Sequence, residues 1–280
     1  MHGGRAFLRD PVPMATGSND RRPGLSQPRV AEMVADILRS RIVNGELADG
    51  DMLPKQDDLL AEFRVSRPSI REAMRILETE GLVSVRRGNV GGAEVHAPKP
   101  RSAAYMLGLV MQSEKVTLTD VASALRILEP ACAALAAARP DRETAVLPAL
   151  RRLNDEAEAQ LEDGPAFTRL AREWHGAMVE SCGNQTMLLL VGTLETVWSH
   201  HESLWADHIA AQGRYPDVKD RRLVLRAHVK ITEAIEAGNE EVATRAARRH
   251  LDESQTYLLA RDPETVVSIT GPSQRFGAFR

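Results

Sequence analysis

Residues 53–95, LPKQDDLLAEFRVSRPSIREAMRILETEGLVSVRRGNVGGAEV, constrain the fold of this chain more than any other stretch. Leu59, Leu60 and Phe63 share one side of a short helix predicted over 55–63. Ser66 is placed to cap a second helix, with Pro68 and Ser69 in its first turn and Ile70, Ala73, Met74 and Leu77 as its buried stripe. Gly81 stops that helix. Val83, Val85, Val90 and Val95 then predict two short strands joined by the glycine-rich RRGNVGG. Upstream, Val30, Met33, Val34, Ile37, Leu38 and Ile42 recur at helical spacing over 28–43. Helix, turn, helix, ribbon is the order of a winged helix-turn-helix.

The chemistry of the unit lies in where its cations stand. Residues 27–97 hold ten Lys and Arg against twelve Asp and Glu, and the whole chain carries −3, so net charge does not predict a nucleic-acid partner. Arg67, Arg71 and Arg75 nevertheless repeat every four residues along one face of the second helix of the motif. The N-terminal half of such a helix reaches base edges in the major groove, where arginine bonds guanine O6 and N7 as a pair. Three arginines alone also fit an ordinary solvated face. The ribbon tip, with Arg86, Arg87 and Gly88, favours the DNA reading, because glycine allows close approach and arginine enters the minor groove.

The words GELADGDMLP, VSRPSIREAMRILETEGLV and RRG make residues 28–95 resemble the DNA-binding domain of the GntR family of bacterial transcription regulators. The resemblance implies DNA contacts from Arg67 and Arg71, from Ser66, Ser69 and Lys55 around the helix starts, and from Arg86, Arg87 and Gly88 on the wing. It also exposes a departure. FadR-type members often carry Glu-Arg after the Leu-Pro, and that arginine contacts DNA; here Gln56 and Asp57 stand there, and a carboxylate cannot hold a phosphate.

HAPKPR, residues 96–101, reads as a linker, and everything after it is helical in pattern. Helices are predicted near 102–112, 118–138, 142–161, 165–181, 184–211, 218–237 and 240–260, with Pro148 a candidate kink. The fold class is therefore mainly α: a winged helix-turn-helix with a small β-wing, plus an all-α seven-helix antiparallel bundle. The domain reading is 1–25 a disordered tail, 26–97 the winged helix, 98–262 the helical domain and 263–280 a flexible tail.

LRILEPACAALAAARP, EWHGAMVESCGN, RAHVKITEAIEAGN and ARRHL make most of 118–251 resemble the FCD domain, the effector-binding and dimerising half of FadR-type GntR regulators. Seven helices suit its longer FadR form. The spacing of His175, His228 and His250 is not a local metal motif. The resemblance matches these three to the histidines of a divalent-metal site whose fourth ligand is an Asp four residues before the first His. Ala171 occupies that position here and has no ligand atom. Three imidazoles suit Zn or Ni with open positions; alternatively the cavity is metal-free and the histidines bond an effector directly. Arg126, in ALRILEP, either faces the cavity and holds an anionic effector, pairs with Glu129, or lies at the surface. Leu194, Trp198, His201, Trp205 and His208 form one stripe, read as packing ahead of cavity lining, with His200 off it and exposed.

No run of 18 apolar residues is present, no signal peptide precedes the first helix, and two cysteines, Cys132 and Cys182, fit a reducing compartment. These readings converge on a cytoplasmic dimeric regulator, a repressor in the usual case, acting on a double-stranded inverted-repeat operator with no membrane partner. Its control would come from a small anionic effector, a carboxylate or an acyl-CoA. The rival is a three-histidine metal-dependent hydrolase or hydratase, for which no positioned general acid or base is found.

Overall fold

The computed structural model describes residues 27–86, 92–260 and 264–269. The readings placed on 1–25, Arg87, Gly88 and the last residues of the chain lie outside the described residues. The chain forms two compact units that divide between Pro98 and Lys99.

The first unit contains α1 (Gln27–Val43), α2 (Gln56–Phe63), α3 (Arg67–Thr79), β1 (Val83–Arg86) and β2 (Gly92–Val95). Arg64 turns the chain between α2 and α3 through the left-handed region, φ 52°, and its N–H donates to the Leu60 carbonyl at 3.0 Å. Ser66 then caps α3 by accepting the Ser69 N–H, and Pro68 sits where a missing N–H costs nothing. Ile70, Ala73 and Leu77 of α3 pack on Val34, Leu38 and Ile42 of α1 and on Leu59 of α2, closing a core with Val83 and Val95 beneath the ribbon. The strands pair antiparallel, Val83 opposite Val95 and Arg86 opposite Gly92. On the outer side of β2, Leu53 N–H donates to the Ala93 carbonyl at 2.8 Å, so the Leu53-Pro54 segment is tied to the wing.

The second unit comprises α4 (Pro100–Ser113), α5 (Leu118–Ala138), α6 (Arg142–Ala145), α7 (Leu147–Ala159), α8 (Gly164–Glu180), α9 (Gln185–Ala211), α10 (Val218–Glu236), α11 (Glu240–Ser254) and α12 (Thr256–Leu259). The all-α reading holds, but the count does not: nine helices stand among the described residues where seven were expected. The helix expected over 142–161 is two helices. Pro148 lacks the N–H that a continuous helix would need and lies in the first turn of α7, after a break at Val146. The helix expected over 240–260 is likewise interrupted after Ser254.

The loose tail read from 263 onward is corrected in part. Leu118 N–H donates to the Thr265 carbonyl at 2.8 Å, Val267 N–H to the Val116 carbonyl at 2.9 Å, and Val267 is fully buried. One buried valine and paired backbone groups hold 264–269 on the bundle, a signal that a polar composition hides.

α5 is long and apolar enough to cross a membrane by length and composition. In this fold it is the central strut instead, packed against α8, α9, α10 and α11. Cys132 on α5 and Cys182 after α8 are free and buried.

Candidate DNA-reading surface and histidine cavity

α3 divides cleanly by face. Ile70, Ala73 and Leu77 are buried, while Arg67, Arg71 and Arg75 are exposed. Arg71 has no ion pair among the described residues, Arg75 reaches Glu72 at 3.3 Å, and Arg67 Nη2 donates to Asp57 Oδ1 at 2.9 Å. Asp57 therefore does more than leave a phosphate contact out: it holds one of the arginines expected to read DNA. Lys55 and Ser66 are exposed at the starts of α2 and α3. Ser69 is corrected. It is 4% exposed and its hydroxyl lies 2.9 Å from that of Ser66, so it braces the cap rather than facing outward. Arg86 ends β1.

In the second unit, α8, α10 and α11 bring His175, His228 and His250 together. The three Nε2 atoms converge, His228 to His250 at 3.0 Å and His250 to His175 at 3.2 Å. Trp174 stacks flat on His228, ring centres 4.2 Å apart, and fixes that ring. Thr232 donates to the His228 carbonyl at 2.9 Å and receives Asn154 Nδ2 at 3.1 Å, tying α10 to α7.

Behind His175 stands a residue the sequence reading did not assign to the site. Glu129, 1% exposed on α5, accepts from His175 Nδ1 at 2.5 Å. Burial alone would raise the Glu129 carboxyl, but the His175 charge and hydrogen bond hold it below its usual range. Burial alone would lower His175, and Glu129 holds it above its ordinary value. Glu195 on α9 is pushed well above the carboxylate range, first by burial and then by the Glu129 charge, and is the neutral member of the group. Burial drives His228 far down and His250 to about 3, so both are neutral imidazoles with a lone pair to offer. A signal for Glu129 existed: a lone acid among the alanines and leucines of LRILEPACAALAAA must find a buried partner.

This donor set fits a divalent metal. Ligand nitrogens about 2.1 Å from a common ion lie roughly 3.0–3.4 Å apart when they share one side of it, and the His228–His250 and His250–His175 separations of 3.0 and 3.2 Å fall in that range. The Nδ1 contact to Glu129 is the outer carboxylate that orients a metal-bound histidine. His175, His228 and His250 would hold the ion, and the ion would supply a Lewis-acid centre for an anionic ligand. Ala171 lines the adjoining cavity on α8, one turn before His175.

That cavity, about 110 Å³, is lined by α8, α9, α10, α11 and α12 and reaches His175 and His250. Trp198 and Trp205 line it, so the α9 stripe both packs and lines; His201 is buried and accepts the Ser268 N–H at 3.1 Å, and His208 at the far end is exposed. His200 is half-buried rather than exposed. Arg126 is not part of the lining. Its Nε lies 3.5 Å from Asp252 Oδ1 on α11, and its expected alternative partner, Glu129, is taken by His175.

A winged helix with an exposed arginine face, in a chain that also carries a helical unit, is the arrangement of a DNA-binding transcription regulator. Residues 30–91 match the family model of bacterial regulatory proteins, gntR family, and residues 120–253 match the FCD domain. The chain belongs to the GntR family of transcription regulators, in the group that carries an FCD domain. It is 28% identical over 250 residues to the HTH-type transcriptional repressor NanR of Salmonella schwarzengrund, covering 86% of this chain and 88% of that one. It is 29% identical over 253 residues to NanR of Salmonella typhimurium, with the same coverage. A solved GntR structure from Streptococcus agalactiae superposes with a TM-score of 0.59 at 24% identity, over 81% of this chain and 99% of that one, and supports the fold. The relatives are regulators and not enzymes, which sets aside the hydrolase reading.

Proposed function

We propose that the protein is a repressor that binds an inverted-repeat operator as a homodimer and is controlled by a small anionic effector in the histidine cavity. The observation that carries this reading is the exposed Arg71, without an ion pair among the described residues, on a capped recognition helix. Arg67 and Arg71 read bases, while Ser66, Lys55, Arg86, Arg87 and Gly88 contact the backbone or the minor groove. The relatives' names include repressor. Exposed apolar side chains on the helical unit, Met106 and Val110 of α4, Ile127 of α5 and Leu204 of α9, give a second copy something to cover. A DNA partner is what supports a cytoplasmic location. The additional helix α4 ahead of the FCD core suits the FadR-type branch.

His175, His250 and Arg172 on the cavity wall favour an effector that presents a carboxylate. A divalent metal on His175, His228 and His250 would take one end of that ligand. Protein purified without a histidine tag is expected to carry close to one equivalent of Zn or Ni by elemental analysis, and chelation is expected to lower its melting temperature. Absence of stoichiometric metal together with melting indifferent to chelator sinks the metal and leaves direct histidine–effector bonding.

Selecting bound duplexes from a random pool tests the function itself. Recovery of a two-fold symmetric motif supports the reading, and recovery of no motif overturns it. The Arg67–Asp57 contact adds a further expectation. Exposed ion pairs are worth up to about 1 kcal/mol, so Asp57→Asn frees Arg67 and strengthens duplex binding by up to about fivefold. A weaker-binding Asp57→Asn would show instead that Asp57 positions Arg67 for contact.

A further inference from the structure

The cavity contains a side chain with nothing to bond. Gln255 lies where α11 ends and α12 begins, one turn after His250 and Leu251. Its backbone is fully used: its N–H donates to the Leu251 carbonyl at 3.1 Å and its carbonyl accepts the Leu259 N–H at 3.2 Å. The side chain is not. Gln255 is 2% exposed and lines the cavity, yet neither Oε1 nor Nε2 has a hydrogen-bond partner among the described residues. A buried amide presents donors and acceptors together, and leaving both unmet is costly. A group that accepts and donates at once, a hydroxyl, answers that need.

A second residue points to the charge of the same ligand. Arg172 on α8 is half-buried and lines the cavity, with no carboxylate partner among the described residues. Arg169, one turn earlier, is bound by Glu173 at 2.8 Å. Glu202, Glu195, Asp220, Arg221 and Ser254 are among the other polar residues of the wall. Arg221 is taken by the Leu161 and Pro216 carbonyls and Glu202 accepts from the Tyr257 hydroxyl, while the carboxyl oxygens offer acceptors to hydroxyl groups.

From this arrangement we propose that Gln255 is a specificity-determining residue that reads a ligand hydroxyl, while Arg172 takes an anionic group, so that the cavity selects a compact hydroxylated carboxylic acid over a plain carboxylic acid of equal length. The inference rests on the effector reading of the cavity given above. It makes Gln255 a residue kept for binding at the expense of stability, which separates it from an ordinary packing residue.

The test uses the full chain, with melting and calorimetric titration against D-gluconate, D-galactonate and D-mannonate. Hexanoate (the same carboxylate and carbon count without hydroxyls) and D-glucitol (the hydroxyls without the carboxylate) serve as the matched probes. At least one hexonate is expected to bind about tenfold tighter than either matched probe. Gln255→Met removes the unmet amide at similar volume. It is expected to raise the melting temperature of the ligand-free protein by about 2–4 °C and to weaken hexonate binding about tenfold. Arg172→Met is expected to weaken hexonate binding while leaving any glucitol binding unchanged.

The proposal is overturned if ligand-free Gln255→Met melts below the unsubstituted protein, if hexanoate binds as tightly as the hexonates, or if no hexonate binds. None of these readings involves DNA. A hexonate that binds without altering affinity for a selected duplex would overturn effector control and leave the Gln255 assignment intact.

Discussion

Arg71→Ala is expected to weaken binding to the selected operator by about 1–3 kcal/mol, roughly five- to 150-fold. Arg71 stands one turn into α3 on the exposed face, with no ion pair among the described residues to release before it meets DNA. Truncating it removes no core contact, because Ile70, Ala73 and Leu77 carry the packing of that helix. Melting should therefore stay within about 0.5 kcal/mol of the unsubstituted protein. Arg67→Ala should cost less than Arg71→Ala, since Arg67 must first leave Asp57. Equal affinity of Arg71→Ala and unsubstituted protein for the selected duplex, by anisotropy at fixed salt, would remove α3 as the reading element.

The second large effect lies in the helical unit. His175→Ala is expected to destabilise the protein by about 3–5 kcal/mol, since removing one member of a buried ion pair leaves the other charge without compensation. Glu129 would then be 1% exposed beside Glu195 with no cation against it. The pH dependence of the metal-free protein follows from the same group. His175 is held above its ordinary value of 6.5, so its contribution is complete below that pH and is lost as pH rises through its folded value. Glu129 is held below its ordinary 4.5, so its contribution is complete above that pH and is lost as pH falls through its folded value. His228 and His250 are lowered from 6.5, so the unfolded chain takes up more protons and stability falls as pH drops from 6.5 toward about 3. Chemical denaturation should thus show the metal-free protein losing stability steeply below pH 6.5, with the acid loss reduced in His250→Phe. A flat profile between pH 4 and 6.5 would contradict the assignment of these charge states.

Periodicity made the first unit legible almost to the residue, because a short motif with caps at Ser66 and Gly81 leaves little freedom. In the second unit the helix positions were readable and two interruptions were not. Pro148 was seen as a kink, and only packing decides between a bend and a restart. The break at Ser254 has no proline or glycine to announce it. The three histidines were named from the resemblance alone; spacings of 53 and 22 residues cannot show convergence. Glu129, Arg172 and Gln255 were missed as cavity chemistry because a sequence shows residue type and not whether a buried polar atom has found a partner. Arg126 was misplaced for the converse reason: it sits in the same word, LRILEP, as Glu129 but four-fifths of a turn away, toward Asp252.

The central claim, that α3 reads a specific operator, is tested most directly by the affinity of unsubstituted and Arg71→Ala protein for a selected duplex and a scrambled one at the same salt. Specific sites are typically bound about 10³-fold or more tightly than non-specific DNA. The unsubstituted protein should show that ratio, and Arg71→Ala should lose affinity for the selected duplex while binding the scrambled one nearly as before. Indistinguishable affinities of the unsubstituted protein for the two duplexes would contradict the account.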